Sequence, residues 1–186
     1  MNRCAMPVAI AIAFFLAACG KAQEKASDTV LAKAIESSLS KDGTQAKVNV
    51  SEGGMKVTTT DASGKSTQME MGNAKISESE LGVPFYPGAT PTEGAAMRVV
   101  SGNDTSLRMG LHSDDAPDKV AAFYRDKLKA MSDGKQLMDM SQSDGASLTL
   151  LDQKSNSSLQ VHVMKAEKGS DIAITSIRQG AKQATP

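Results

Sequence analysis

The residues of this chain best placed to do chemistry are its methionines. Of the eleven in the sequence, Met1 and Met6 stand in the N-terminal segment, which leaves nine. Two pairs of these are spaced two apart, Met69-Glu70-Met71 and Met138-Asp139-Met140. On a strand, a Met-x-Met pair points both thioethers to one face, and thioether sulfur selects soft Cu(I). The same spacing also describes a buried strand face in which flexible Met replaces scarce aromatics. Packing is the expected role, so neither a metal ligand nor a cofactor is assigned.

His112 and His162 are the only histidines. Each alternates with apolar neighbours (Leu111; Val161 and Val163), which directs the imidazole to the opposite, solvated face of its strand. Without a C-x-x-C, an H-x-x-x-H or a third ligand they do not make a zinc site. Serines are plentiful, yet no G-x-S-x-G and no supported S-x-x-K is present, so a hydrolytic triad is not expected. The carboxylate pair Asp114-Asp115 suits a helix cap better than acid-base work. Gly53-Gly54 and Gly110 stand in no strand-to-helix G-x-G-x-x-G or P-loop setting and are expected to be turn residues or strand irregularities. The expectation is a chain that is not an enzyme.

One cysteine has a clear chemical setting. Met1–Arg3 is weakly positive, and Val8–Leu16 (VAIAIAFFL) is an uncharged apolar run too short to span a bilayer as a resident helix. Leu16-Ala17-Ala18-Cys19-Gly20 comes directly after it and resembles the lipobox of bacterial lipoproteins, with small residues at the cleavage site beside a nucleophilic thiol. The resemblance implies that residues 1–18 are removed and that Cys19 receives a diacylglyceryl group and an N-acyl chain such as palmitate. Each buried methylene contributes about 0.8 kcal/mol, so the membrane is the expected partner of Cys19 and the anchoring would be permanent. Cys4 is removed with the signal, so no disulfide is expected in the mature chain. Gly20 rather than Asp after the cysteine implies, by resemblance to Gram-negative sorting, the periplasmic face of the outer membrane.

Lys plus Arg and Asp plus Glu are 21 each, so no whole-chain field attracts nucleic acid, and none is expected as a partner. Aromatics are 3% of the chain and Trp is absent. The core must therefore rest on Val, Ile, Leu and Met.

Those residues fall into ordered periods. Residues 19–27 are polar and read as a lipidated tether. Val30, Leu31, Ala34, Ile35, Ser38 and Leu39 recur at helical spacing, with Ser27 or Asp28 as N-cap and Gly43 as stop. Strands are expected near 46–50, 54–60 and 65–72, and this small unit (28–80) should pack on the larger one over 81–178. A proline-rich connector (Leu81–Pro91) leads to strands at 95–101 and 105–112, a helix at 116–131 and strands near 135–141, 146–152, 157–165 and 170–178. Asp114 or Asp115 should cap that helix and Pro117 suits its first turn, while Val120, Phe123, Tyr124, Leu128 and Met131 form its apolar stripe. The expected class is α+β: an antiparallel sheet with one long helix packed on one face (81–178, ββαββββ), preceded by the smaller unit and ending in a polar tail (179–186).

Val83-Pro84-Phe85-Tyr86-Pro87-Gly88-Ala89, together with the D-x-P-x-x-V-x-x-F-Y-x-x-x-L pattern over Asp115–Leu128, resembles uncharacterised bacterial envelope proteins with a YPGA turn ahead of two strands and a helix. The resemblance covers 81 to about 178 and implies a fold, with no activity or substrate attached. It marks Phe85, Tyr86, Phe123 and Tyr124 as interaction or packing residues. The expected function is a non-catalytic envelope lipoprotein that binds an envelope protein. The alternative is a carrier of a small apolar ligand or soft metal in a Met-lined cavity between sheet and helix.

Overall fold

The computed structural model describes residues 20–40, 43–51, 53–142 and 144–180. The expected export signal, Cys19 and residues 181–186 lie outside the described residues. In chain order the elements are α1 (Gly20–Leu39), β1 (Gln45–Ser51), β2 (Gly54–Thr60), β3 (Ser66–Gly72), α2 (Glu78–Leu81), β4 (Thr90–Pro91) and β5 (Ala96–Ser101). They continue as β6 (Asp104–Ser113), α3 (Pro117–Ala130), β7 (Gln136–Gln142), β8 (Gly145–Asp152), β9 (Ser157–Lys165) and β10 (Ser170–Arg178). The class is α+β, mostly antiparallel sheet with a few helices. Among the described residues no helix is long and apolar enough to cross a membrane.

Among the described residues all ten strands belong to one sheet, ordered β1-β2-β3-β5-β6-β10-β9-β8-β7, with β4 added beside β6. The meander β1-β2-β3 joins the later strands edge to edge through β3 and β5, where Met71 stands opposite Met97. Residues directly opposite in a ladder share a face, so the register shows which side chains lie together. On one face Leu107, Met109 and Leu111 of β6 meet Ile172 and Ile174 of β10, Val161 and Val163 of β9, and Leu148 and Leu150 of β8. This is the core face. Val120, Tyr124 and Leu128 of α3 are 0% exposed and close over it. Each fully buried Val or Leu contributes about 1.5–3 kcal/mol relative to exposure.

The apolar face changes sides within the sheet. In the meander the core-facing positions are polar or charged (Lys56, Gln68, Glu70, then Arg98 of β5), and the apolar set Val48, Val57, Met69, Met71, Met97 and Val99 points the other way. The change falls between β5 and β6, where Met97 stands opposite Arg108, whose chain neighbours Leu107 and Met109 are core.

Three sequence expectations are corrected. The first helix begins at Gly20, so residues 21–27, read as a tether, continue it; Lys, Gln, Glu and Ala are good helix formers without any apolar period. Its stripe does not turn inward. Val30 is 70% and Leu31 51% exposed, and α1 instead lies beside β1, where Glu36 Oε1 accepts from the Val48 N–H at 2.7 Å and Ser40 Oγ from the Ala46 N–H at 3.1 Å. The helix thus occupies hydrogen-bonding positions that an edge strand leaves open. Finally, α3 has Ala116 at its N-cap with no side-chain cap bond. Asp115 is engaged by Tyr86 and Lys119, and Asp114 pairs with Lys168 at 2.9 Å.

The connector expected at 81–91 follows a helical turn, α2, that ends at Leu81 and is held by a capping box: Ser77 Oγ accepts from the Glu80 N–H, and Glu80 accepts from the Ser77 N–H at 2.9 Å.

Candidate functional site

A cavity of about 640 Å³ opens where the meander meets the core sheet. Its floor is Ala96 of β5 and Met109 of β6, both buried, with Ala74 and Ile76 from the segment after β3 and Phe85 from the connector. Lys75, Glu80 and Glu93 bring charge to the same cavity. An apolar floor with a few polar groups and a volume of this size suit a small apolar ligand or an inserted side chain.

Local geometry builds each wall. The Phe85 N–H donates to Glu78 Oε1 at 2.9 Å, which ties the aromatic residue to α2. Arg98 of β5 pairs with Glu80 Oε1 at 2.7 Å and donates to the Lys75 carbonyl at 2.8 Å, fastening α2 and the 73–77 segment to the sheet. This guanidinium, and after it the Ser77 N–H and hydroxyl, holds the Glu80 carboxyl down at about 2. The outer wall, residues 92–95, folds against Gly110: the Thr92 N–H donates to the Gly110 carbonyl at 2.9 Å, and the Gly110 N–H to the Ala95 carbonyl at 3.1 Å. A Cβ at position 110 would stand 2.5 Å from the Ala95 Cβ, so the close approach requires glycine.

Of the four aromatic residues singled out in the sequence, Tyr86, Phe123 and Tyr124 come together edge to face. Tyr86 and Phe123 meet edge to face at 5.3 Å between centroids, as do Phe123 and Tyr124 at 5.1 Å. Such pairs contribute about 0.5–1.5 kcal/mol beyond their burial. The Tyr86 hydroxyl donates to Asp115 Oδ2 at 2.6 Å, and Lys119 Nζ donates to both oxygens of the same carboxylate at 3.0 Å. Hydrogen bonding from Tyr86, then from Lys119, lowers the Asp115 pKa; the carboxylate in turn raises that of Tyr86. Burial pushes the Tyr124 phenol up. Tyr86 and Tyr124 are buried and act in packing, whereas Phe85 is half-buried and faces the cavity.

No protein-family model, curated protein or solved structure matches this chain. The remaining candidates separate in space. His112 and His162 share the face opposite the core, as expected, and His112 Nδ1 lies 2.9 Å from Asp171 Oδ1. Among the described residues no seryl hydroxyl is hydrogen-bonded to either imidazole, and no three His, Cys, Asp or Glu side chains are grouped to hold a metal ion. Gly53 turns with positive φ between β1 and β2, and Gly54 packs closely on Asn73.

The cavity of about 640 Å³ is not the Met-lined one expected between sheet and helix. Val120, Tyr124 and Leu128 fill the space beneath the middle of α3; the 640 Å³ cavity lies beside the 73–94 segment with Met109 as its one methionine, and a smaller cavity of about 170 Å³ lies between Met131 at the end of α3 and Leu150 and Leu159 of the core sheet. Both Met-x-Met pairs stand on the opposite face of the sheet. The cavity itself was not legible in the sequence, because it is assembled from residues 53 to 109 by the β3–β5 pairing. Ser77-x-x-Glu80, a capping box, was the local signal that could have found one of its walls.

Proposed function

We propose that this chain is a non-catalytic lipoprotein of the cell envelope, held at the periplasmic face of the outer membrane by lipid on Cys19. Its domain binds an envelope protein by receiving an apolar side chain in the cavity floored by Ala96 and Met109. The observation that carries this reading is the cavity: apolar within, charged through Lys75, Glu80 and Glu93, and walled by Phe85. In the same reading α3 is the principal lid of the core sheet and leaves the 73–94 side free for binding.

A second reading, carriage of a free apolar ligand, is favoured by the same volume. Photo-crosslinking in cells from Thr92 and Glu93, in the anchored form and in a form secreted without Cys19, separates the two. Recovery of one envelope protein in near-stoichiometric yield from both forms, lost in Ala96→Phe, supports the partner reading. A purified domain carrying extra mass in native mass spectrometry, with nothing crosslinked, supports carriage. If neither appears, and a full deletion behaves as wild type under envelope stress, the binding role is overturned.

A further inference from the structure

The methionines of this protein are distributed against the demands of core packing. Along the register from β2 to β7, Met55, Met69, Met71, Met97, Met138, Met140 and Met164 all stand on the face opposite the core. Among the described residues only Met109 is a methionine buried in the core cluster, with Met131 packed at its margin. A chain that used Met to replace missing aromatics would place it inside. Here the core is mostly Leu, Val, Ile and Ala with Tyr86, Tyr124 and Met109, and seven sulfurs stand on the opposite face.

Three of them form a row. Met55 of β2 is directly opposite Met71 of β3, which is directly opposite Met97 of β5, and Met69 lies two residues along on the central strand, on the same face. All four are half-buried. Cβ atoms of directly opposed residues stand about 4.5–5.5 Å apart, and three rotatable bonds in each side chain let neighbouring sulfurs converge. Around them on this face are Val50, Val57 and Val99, whose side chains offer no competing donors. The one charged neighbour across the ladder is Arg108, beyond Met97 and exposed, so its guanidinium is free to extend into solvent.

We propose that Met55, Met71 and Met97, with Met69 in reserve, form a thioether site for a soft monovalent cation, Cu(I) or Ag(I). Neutral sulfur ligands satisfy a soft, singly charged ion and give hard divalent ions little. Thioethers carry no proton to release, so binding is independent of pH, unlike a histidine or cysteine site. The site lies on the opposite face of the sheet from the Ala96–Met109 cavity and does not depend on it.

The test uses the mature chain from Cys19 onward, lipidated and in detergent, with methionine methyls labelled with 13C, titrated with Ag(I). One equivalent is expected to shift the methyls of Met55, Met71 and Met97 and to leave Met109 and Met131 in place. Affinity should fall at least tenfold in Met71→Leu, a substitution close in volume, and stay unchanged in Met138→Leu/Met140→Leu. It should also hold constant between about pH 5.5 and 7.5. The proposal is overturned if no methyl shifts, if Met138, Met140 and Met164 shift at the same Ag(I) concentration as the row, or if Met71→Leu binds as tightly as wild type.

Discussion

The backbone N–H of Tyr86 donates to the phenolic oxygen of Tyr124 at 3.0 Å, so that the connector before β4 is tied to the middle of α3 by a bond buried from solvent. Tyr124→Phe removes the acceptor and strands that N–H. The expected loss is about 1–3 kcal/mol, read by urea denaturation. Tyr86→Phe, which removes a hydroxyl bonded to the part-exposed Asp115, should cost less. Equal stability of Tyr124→Phe and wild type would remove the connector's bond from the account of the fold.

Acid should loosen the same region. Glu80 falls from its ordinary value of 4.5 to about 2 through Arg98 and Ser77, and Asp115 is lowered through Tyr86 and Lys119. Folded protein therefore binds fewer protons than unfolded protein as pH falls through this range, so these contacts stabilise fully above the unfolded pKa and are lost as pH drops from about 4.5 toward 2. Melting temperature measured against pH should decline across that window, and Glu80→Gln should flatten part of the decline. An unchanged slope in Glu80→Gln would place the acid sensitivity elsewhere.

Gly110→Ala puts a Cβ where the Ala95 Cβ already stands, at 2.5 Å. The wall at 92–95 must then move away from β6. A stability loss of about 1–3 kcal/mol is expected from overpacking, with faster amide exchange at Thr92 and Gly110, whose bonds close the wall. Exchange rates equal to wild type would show that the wall accommodates a methyl group.

The outer edge of β1 is guarded by two side chains. Glu36→Ala should free the Val48 N–H and raise its exchange rate, while Ser40→Ala should do the same at Ala46. With both removed, edge-to-edge association becomes available and should appear as dimer in sedimentation. A double variant that stays monomeric with unchanged exchange would mean that α1 guards the edge by its backbone alone.

Much of the ladder was legible in the sequence. Alternation at Met55, Val57 and Thr59 and at Met69 and Met71 located β2 and β3, and Pro117 with Val120, Tyr124 and Leu128 located α3, because each pattern is a property of neighbouring residues. Of the four aromatic residues marked in the sequence, Phe123 packs Tyr86 to Tyr124, while Phe85 lines the cavity. Of the site, only Phe85 had been singled out.

The sequence by itself determined which residues share a face; the tertiary structure decided what each face meets. Alternation in the meander says that Met71 and Met69 lie together, and only the pairing of β3 with β5 puts Met97 beside Met71 and turns both away from the core. Helical spacing says that Val30 and Leu31 lie together, and only the position of β1 leaves them in solvent. Asp115 had the right address for a cap and serves Tyr86 instead, a contact 29 residues distant in the chain. Periodicity is local, whereas burial depends on partners brought in from far along the sequence, and the cavity at Ala96 and Met109 exists only where those partners meet.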